Sequence, residues 1–316
     1  MRNNIINKLF LGALTVSFIS CTSQYMDINS NPYQPGSLAD DDYALGSAMS
    51  NLAGCVVSSD VNTAQFTDCL LGGPCGGYFA DSKSAWAFTI SNFNPTDDWT
   101  RVFLKSDKVI PVLYSNLSTV KSVSEATNNP VPYAIAEIIK VVAMSRITDT
   151  YGPIPYSKIG ADGKITIPYD SQEDVYNKFF EELNQAIEIL TENSGSALVA
   201  TADYVYSGNV AKWIKFANSL KLRLAIRVAY ANKTLAQEMA ESAVKHEFGV
   251  IESNADNAKW NYFGTIPNPL YTAVRYNEET SGGDSHVAAD IVCYMNGYSD
   301  GRRAAYFEKS GWKDQE

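Results

Sequence analysis

Paired carboxylates and loop-borne aromatic rings are the residues of this chain whose type and spacing could do chemistry. Asp40-Asp41-Asp42 and Asp97-Asp98 are the clusters that could supply the two carboxyl groups of a glycoside hydrolase. That reaction needs the pair held across a scissile bond, whereas acids adjacent in sequence read more simply as solvated surface charge. Only His246 and His286 are present, so the commonest general base and metal ligand is scarce. The patterns G-x-S-x-G, H-E-x-x-H, Walker A and the dinucleotide glycine fingerprint are all missing, and the glycine-rich stretch 72–77 lacks the Gly-Lys-Ser/Thr of a phosphate loop. No C-x2-C pair supports zinc. The chain reads as a non-enzyme with no metal or cofactor; a secreted hydrolase, dependent on Asp98, is the reading these carboxylates leave behind.

The aromatic candidates are Trp86, beside Ser82, Lys83 and Ser84, and Trp260 with Tyr262 in Asn257-Ala-Lys-Trp-Asn-Tyr262. A pyranose presents C–H patches that stack on flat rings and hydroxyls that need polar neighbours. Loop tryptophans among Ser, Asn and Lys supply both, so Trp86, Trp260 and Tyr262 are the candidate ligand contacts; the alternative for each is core anchoring.

Cys21 carries a different chemistry. Arg2 and Lys8 precede a short uncharged apolar run, 9–19, and the small Ser20 stands directly before Cys21. This is a secretory signal layout, too short to span a bilayer. A cysteine at the cut predicts a lipoprotein signal, with Cys21 acylated as the new N-terminus; Phe18 departs from the usual leucine. Buried acyl chains stabilise attachment by about 0.8 kcal/mol per CH2, which makes the protein membrane-tethered. Residues 1–20 are then signal peptide, 21–37 a tether rich in Asn, Pro and Gly, and 38–316 a single domain. Of the other cysteines, Cys55, Cys69, Cys75 and Cys293 permit three disulfide pairings or free thiols. Cys69 and Cys75 could close a small loop.

A chain of 316 residues, 45% of them hydrophobic, can bury a substantial core. Its formal net charge of −10 argues against nucleic acid, which needs Lys and Arg on phosphates. Helical spacing is expected at 43–52, from 99 to about 117 with a kink at Pro111, at 134–148, 172–191, 210–230 and 235–245, and again at 287–296. Ser171 is a good N-cap, followed by Glu173 and Asp174. Residues 66–95 read as a long glycine-rich loop with short strand, and 281–284 as another loop. The stretch 151–156 reads as a stiff connection, and Lys212, Lys215 and Arg223 as a solvated helix face. Helix pairs without a clean tetratricopeptide consensus of about 34 residues suggest a stacked helical layer.

Four segments carry a family resemblance: Asp27-Ile-Asn-Ser-Asn-Pro32; Thr148-Asp-Thr-Tyr-Gly-Pro-Ile-Pro-Tyr-Ser157; the run from Gly208 to Arg227 containing Lys-Trp-Ile-Lys-Phe-Ala-Asn-Ser-Leu-Lys-Leu-Arg; and Asp300-Gly-Arg-Arg-Ala-Ala-Tyr-Phe307, where Gly301 replaces a proline. Together they resemble the SusD/RagB-like outer-membrane lipoproteins of Bacteroidetes. The resemblance implies a mostly α fold, a tetratricopeptide-like helical-pair scaffold with long irregular loops, lacking the family's C-terminal portion. It also implies a non-catalytic, lipid-anchored protein at the cell surface. Such a protein binds glycan or peptide oligomers and delivers them to a SusC-like TonB-dependent transporter of the outer membrane. The alternative is an assembly lipoprotein that holds a protein partner and no nutrient.

Overall fold

The structure is a computed structural model that describes residues 42–65, 72–81, 109–160, 166–196, 198, 200–261, 267–275 and 285–307. Cys21, the expected tether to residue 37, Asp40, Asp41, Cys69, Trp86, Asp97, Asp98 and Tyr262 lie outside the described residues.

The chain is mostly helical. The principal helices are α1 (Asp42–Gly54), α2 (Val109–Ala126), α3 (Val131–Tyr151), α4 (Gln172–Glu192), α5 (Val210–Arg227) and α6 (Lys233–Lys245). Each of α2 to α6 packs on its predecessor, and α1 also touches α3. Short connections such as 127–130 and 228–232 return the chain on itself, which makes neighbours antiparallel. The result is a layer of helix pairs, as the spacing of apolar residues predicts.

Helix α3 is the centre of that layer. It buries Ala134, Ile135, Ala136, Ile138, Ile139, Val141, Ala143 and Met144, residues that surround the helix rather than form one stripe. A helix buried on most of its sides carries little amphipathic signal, which is why its apolar period is less sharp than that of α4. Helix α4 is the opposite case. Its buried Tyr176, Phe179, Phe180, Leu183, Ile187 and Leu190 are the face expected from spacing. Ser171 caps it, its side chain accepting from the Asp174 amide at 3.1 Å. Helix α2 continues to Ala126, well past the expected end near 117.

The start of α5 is built on a buried acid. Asp203 is 2% exposed. Its Oδ2 accepts from the Gly208 amide (2.9 Å) and from Trp213 Nε1 (2.8 Å), and its Oδ1 from the amides of Val205 (3.0 Å) and Tyr206 (3.1 Å). These bonds replace the water that the carboxylate gave up. They also fix Trp213, one of the largest fully buried side chains. Gly208 is obligatory here. Its φ is +84°, and a Cβ would lie 2.1 Å from the Leu198 carbonyl oxygen, inside any van der Waals contact.

Lys140, which interrupts an apolar run, is buried between α3 and α4. Its ammonium pairs with Glu182 at 3.0 Å and with Glu137, while the Tyr156 hydroxyl donates to Glu182. Burial holds the Glu182 carboxyl above its ordinary range, with Lys140 opposing that shift.

Two short strands complete the described fold. β1 (Phe79–Asp81) pairs antiparallel with β2 (Ser285–Val287), in the register Phe79↔Val287, Ala80↔His286 and Asp81↔Ser285. Strand β2 leads into α7 (Ala289–Gly297); the loop expected at 281–284 lies outside the described residues. A last helical turn, α8 (Arg303–Tyr306), closes the described chain.

Candidate functional site

The β1–β2 ladder brings the glycine-rich stretch 72–77 against α7. Beyond the ladder, the Ala288 amide donates to the Tyr78 carbonyl (3.0 Å) and the Ile291 amide to the Gly77 carbonyl (3.2 Å). Close approach requires the glycines. A Cβ on Gly76 would stand 2.8 Å from the Tyr78 ring, and one on Gly77 (φ +70°) 3.0 Å from Asp290 Cβ. Tyr78 is thereby held at the start of α7.

Tyr294 and Tyr298 follow at helical i,i+4 spacing, so they share a face. The Tyr298 amide closes the helix on the Tyr294 carbonyl at 3.0 Å. A turn through Asp300 then brings Tyr306 of α8 alongside. The outcome is a cleft of about 410 Å³ whose lining includes Tyr78, Asp290, Tyr294, Tyr298, Arg302 and Tyr306. These four tyrosines are 55%, 68%, 80% and 59% exposed. Large rings normally lie inward, so four exposed ones around a single concavity are notable as a group rather than singly.

The electrostatics are local. Arg302 and Asp300 clasp each other, Nε to Oδ1 at 2.9 Å and Nη2 to Oδ2 at 2.5 Å. The guanidinium holds the Asp300 carboxyl down to about 2. Asp290 lies in the first turn of α7, where the helix dipole favours a carboxylate. Each tyrosine offers an apolar face and a hydroxyl at its edge. The cleft can therefore stack flat C–H surfaces and exchange hydrogen bonds with hydroxyl groups. Among the described residues, no cluster of three metal-ligating side chains occurs.

Of the candidates read from sequence, Trp260 is described, and it lies elsewhere. It is half-buried, and its ring edge would be 3.4 Å from a Cβ on Gly54, at the end of α1. That is a packing position on the helical layer. The tyrosine cleft is not among those candidates; its signal in the sequence is the Tyr-x3-Tyr spacing at 294 and 298, close to Tyr306.

On the basic face of α5, Arg223 is exposed while Lys212 and Lys215 are half-buried. Lys215 meets Asp256 at 3.1 Å, and Lys212 donates to the Ala255 carbonyl at 2.7 Å. In the connection 151–156, Tyr156 is 3% exposed and packs locally. Cys55, Cys75 and Cys293 are free thiols.

A second concavity, of about 510 Å³, opens between α4 and the ends of α5 and α6, with Asp149, Tyr176 and Arg227 in its wall. Those three side chains are tied to one another. The Tyr176 hydroxyl donates to Asp149 Oδ1 at 2.6 Å and accepts from Arg227 Nε at 3.1 Å.

The family model described as Susd and RagB outer membrane lipoprotein matches residues 27–316. No curated protein matches the sequence. Among solved structures, a SusD homologue from Bacteroides uniformis is 76% identical, with a TM-score of 0.81, over 87% of this chain and 56% of that one. A SusD homologue from Bacteroides thetaiotaomicron is 38% identical, with a TM-score of 0.72, over 86% and 53%. A chitin-binding SusD homologue from Flavobacterium johnsoniae is 29% identical, with a TM-score of 0.72, over 86% and 56%. The chain thus spans about half the length of the structures it matches.

Proposed function

The chain belongs to the SusD/RagB family of outer membrane lipoproteins, and from that membership we propose that it captures a nutrient glycan in the tyrosine cleft without altering it. It then passes the glycan to a SusC-like TonB-dependent transporter. The observation that carries this reading is the convergence of Tyr78, Tyr294, Tyr298 and Tyr306 on one cleft beside Asp290 and Arg302. Ring faces and hydroxyl-bonding groups at one surface suit a sugar better than an extended peptide, whose affinity rests on a sheet edge or an apolar groove. The chitin-binding relative supports the ligand class. An open cleft with wet contacts gives modest affinity.

Localisation follows from Cys21, whose acylation would tether the receptor at the cell surface. Mass spectrometry of the mature N-terminus and protease added to intact cells test this together. An unmodified N-terminus, or full protection from protease, would remove the surface reading.

Affinity electrophoresis against a polysaccharide panel tests the cleft. Wild-type protein is expected to be retarded by at least one neutral polysaccharide, and the Tyr294→Ala/Tyr298→Ala double variant to migrate freely. Both rings are exposed, so the variant keeps the scaffold. Retention that survives the double substitution would place the ligand elsewhere. Purification from membranes with a TonB-dependent barrel as companion supports delivery; other envelope proteins in its place favour an assembly role.

A further inference from the structure

Charge at the tyrosine cleft discriminates among glycans. Among the described residues, its charged lining is Asp290, Asp300 and Arg302. Arg302 is the one cation of that lining, and its charge is paired with Asp300. Its Nε and Nη2 bind both oxygens of Asp300, and the Arg302 amide adds a bond to Asp300 Oδ1 at 2.9 Å. A bidentate clasp of this kind occupies the Nε–Nη2 edge of the guanidinium and offsets its charge. The nearby Arg303 is turned to Asn296, donating to its Oδ1 at 2.6 Å.

The start of α7 could attract an anion, because helix N-termini do so through free amides and the macrodipole. Here part of that capacity is already used. The Ala288 amide donates to the Tyr78 carbonyl and the Ile291 amide to the Gly77 carbonyl. Asp290 places the chain's own carboxylate in that first turn. Asp290 is exposed and carries no ion pair among the described residues. The cleft therefore shows a ligand four phenol rings, one neutralised ion pair and one free negative charge.

We infer that this cleft accepts uncharged or amine-bearing oligosaccharides and turns away those bearing uronate or sulfate, with Asp290 setting the preference. The inference rests on the cleft being the glycan site. Like charges in an open, hydrated cleft repel only over short range, since salt screens them beyond about 8 Å. The discrimination is thus on the order of tenfold, and it fades as salt rises.

The test uses matched pairs in affinity electrophoresis and calorimetry. Each pair is a neutral polysaccharide and its carboxylated or sulfated form on the same backbone, measured with the full chain, its Asp290→Asn variant and the Tyr294→Ala/Tyr298→Ala variant. The expected result is that the neutral member binds about tenfold more tightly. Asp290→Asn should narrow that ratio by a similar factor, with thermal melting confirming that the variant is folded. An acidic member that binds as tightly as its neutral partner, and loses binding with the two tyrosines, overturns the inference while leaving the cleft intact as the site. The same holds if Asp290→Asn leaves the ratio unchanged. Binding indifferent to the two tyrosines overturns both.

Discussion

Arg227 Nη2 lies 2.8 Å from Asp149 Oδ2, joining the last turn of α5 to the last turn of α3 across the face of α4. Tyr176 of α4 completes the link through its hydroxyl. Two sequence segments that carried the family resemblance, the one beginning at Thr148 and the one ending at Arg227, thus meet in space. Their shared residues hold three helices in register.

Tyr176→Phe should lower stability by about 1 kcal/mol, the usual worth of a hydroxyl that both donates and accepts. Arg227→Gln should cost a similar amount, because half-exposed ion pairs contribute little alone. The double variant should cost less than the sum, since both changes dismantle one network. Urea unfolding of the four proteins measures this; strict additivity would show the residues to be independent.

Asp203→Ala should destabilise the protein by more than about 3 kcal/mol, because it strands three amides and the Trp213 indole in a dry interior. Gly208→Ala should be at least as damaging, since the left-handed backbone and the Leu198 carbonyl both oppose a side chain there. Denaturant midpoints check both, and a Gly208→Ala protein as stable as wild type would contradict the geometry.

Lys140→Met should be severe, about 3–5 kcal/mol, because it leaves Glu137 and Glu182 buried without their cation. Glu182→Gln should be much milder, as Lys140 keeps Glu137 and burial already disfavours the Glu182 charge. Thermal unfolding at neutral pH ranks the two; the reverse order would refute this reading of the cluster.

Stability should fall at alkaline pH. Burial pushes the hydroxyls of Tyr151 and Tyr176 from 10.0 to about 12, the Tyr176 hydroxyl also by its bond to Asp149. Burial likewise carries the Cys55 thiol from 9.0 to about 12. Above about pH 9 the unfolded chain releases protons that the folded one retains. Stability is then present below that point and is lost as pH rises toward 12, by about 1.4 kcal/mol per pH unit for each fully differing proton. Melting temperatures across this range test the slope. At pH 8 the native protein should also be alkylated at Cys75 and Cys293, both exposed, and spared at buried Cys55; peptide mapping reads this out.

Local elements were legible because their signals act within a turn or two. Ser171 capping α4 and the six-residue apolar face behind it need only nearby atoms. Helix α3 begins at Val131, before the expected 134, because burial on most of its sides weakens its stripe. Trp260 stood out as a large ring in a polar loop, yet its surroundings on α1 are set by residues two hundred positions earlier, which loop composition does not register.

By itself the sequence determined the main helices, the Ser171 cap, the family to which they belong and the surplus of aromatic side chains. Which rings face one another was decided by tertiary structure alone. Tyr78 lines one cleft with Tyr294 and Tyr298 only because β1 pairs with β2 across most of the chain and Gly76 and Gly77 let the backbones close. Such a pairing depends on atoms far apart in sequence, and no short-range spacing encodes it.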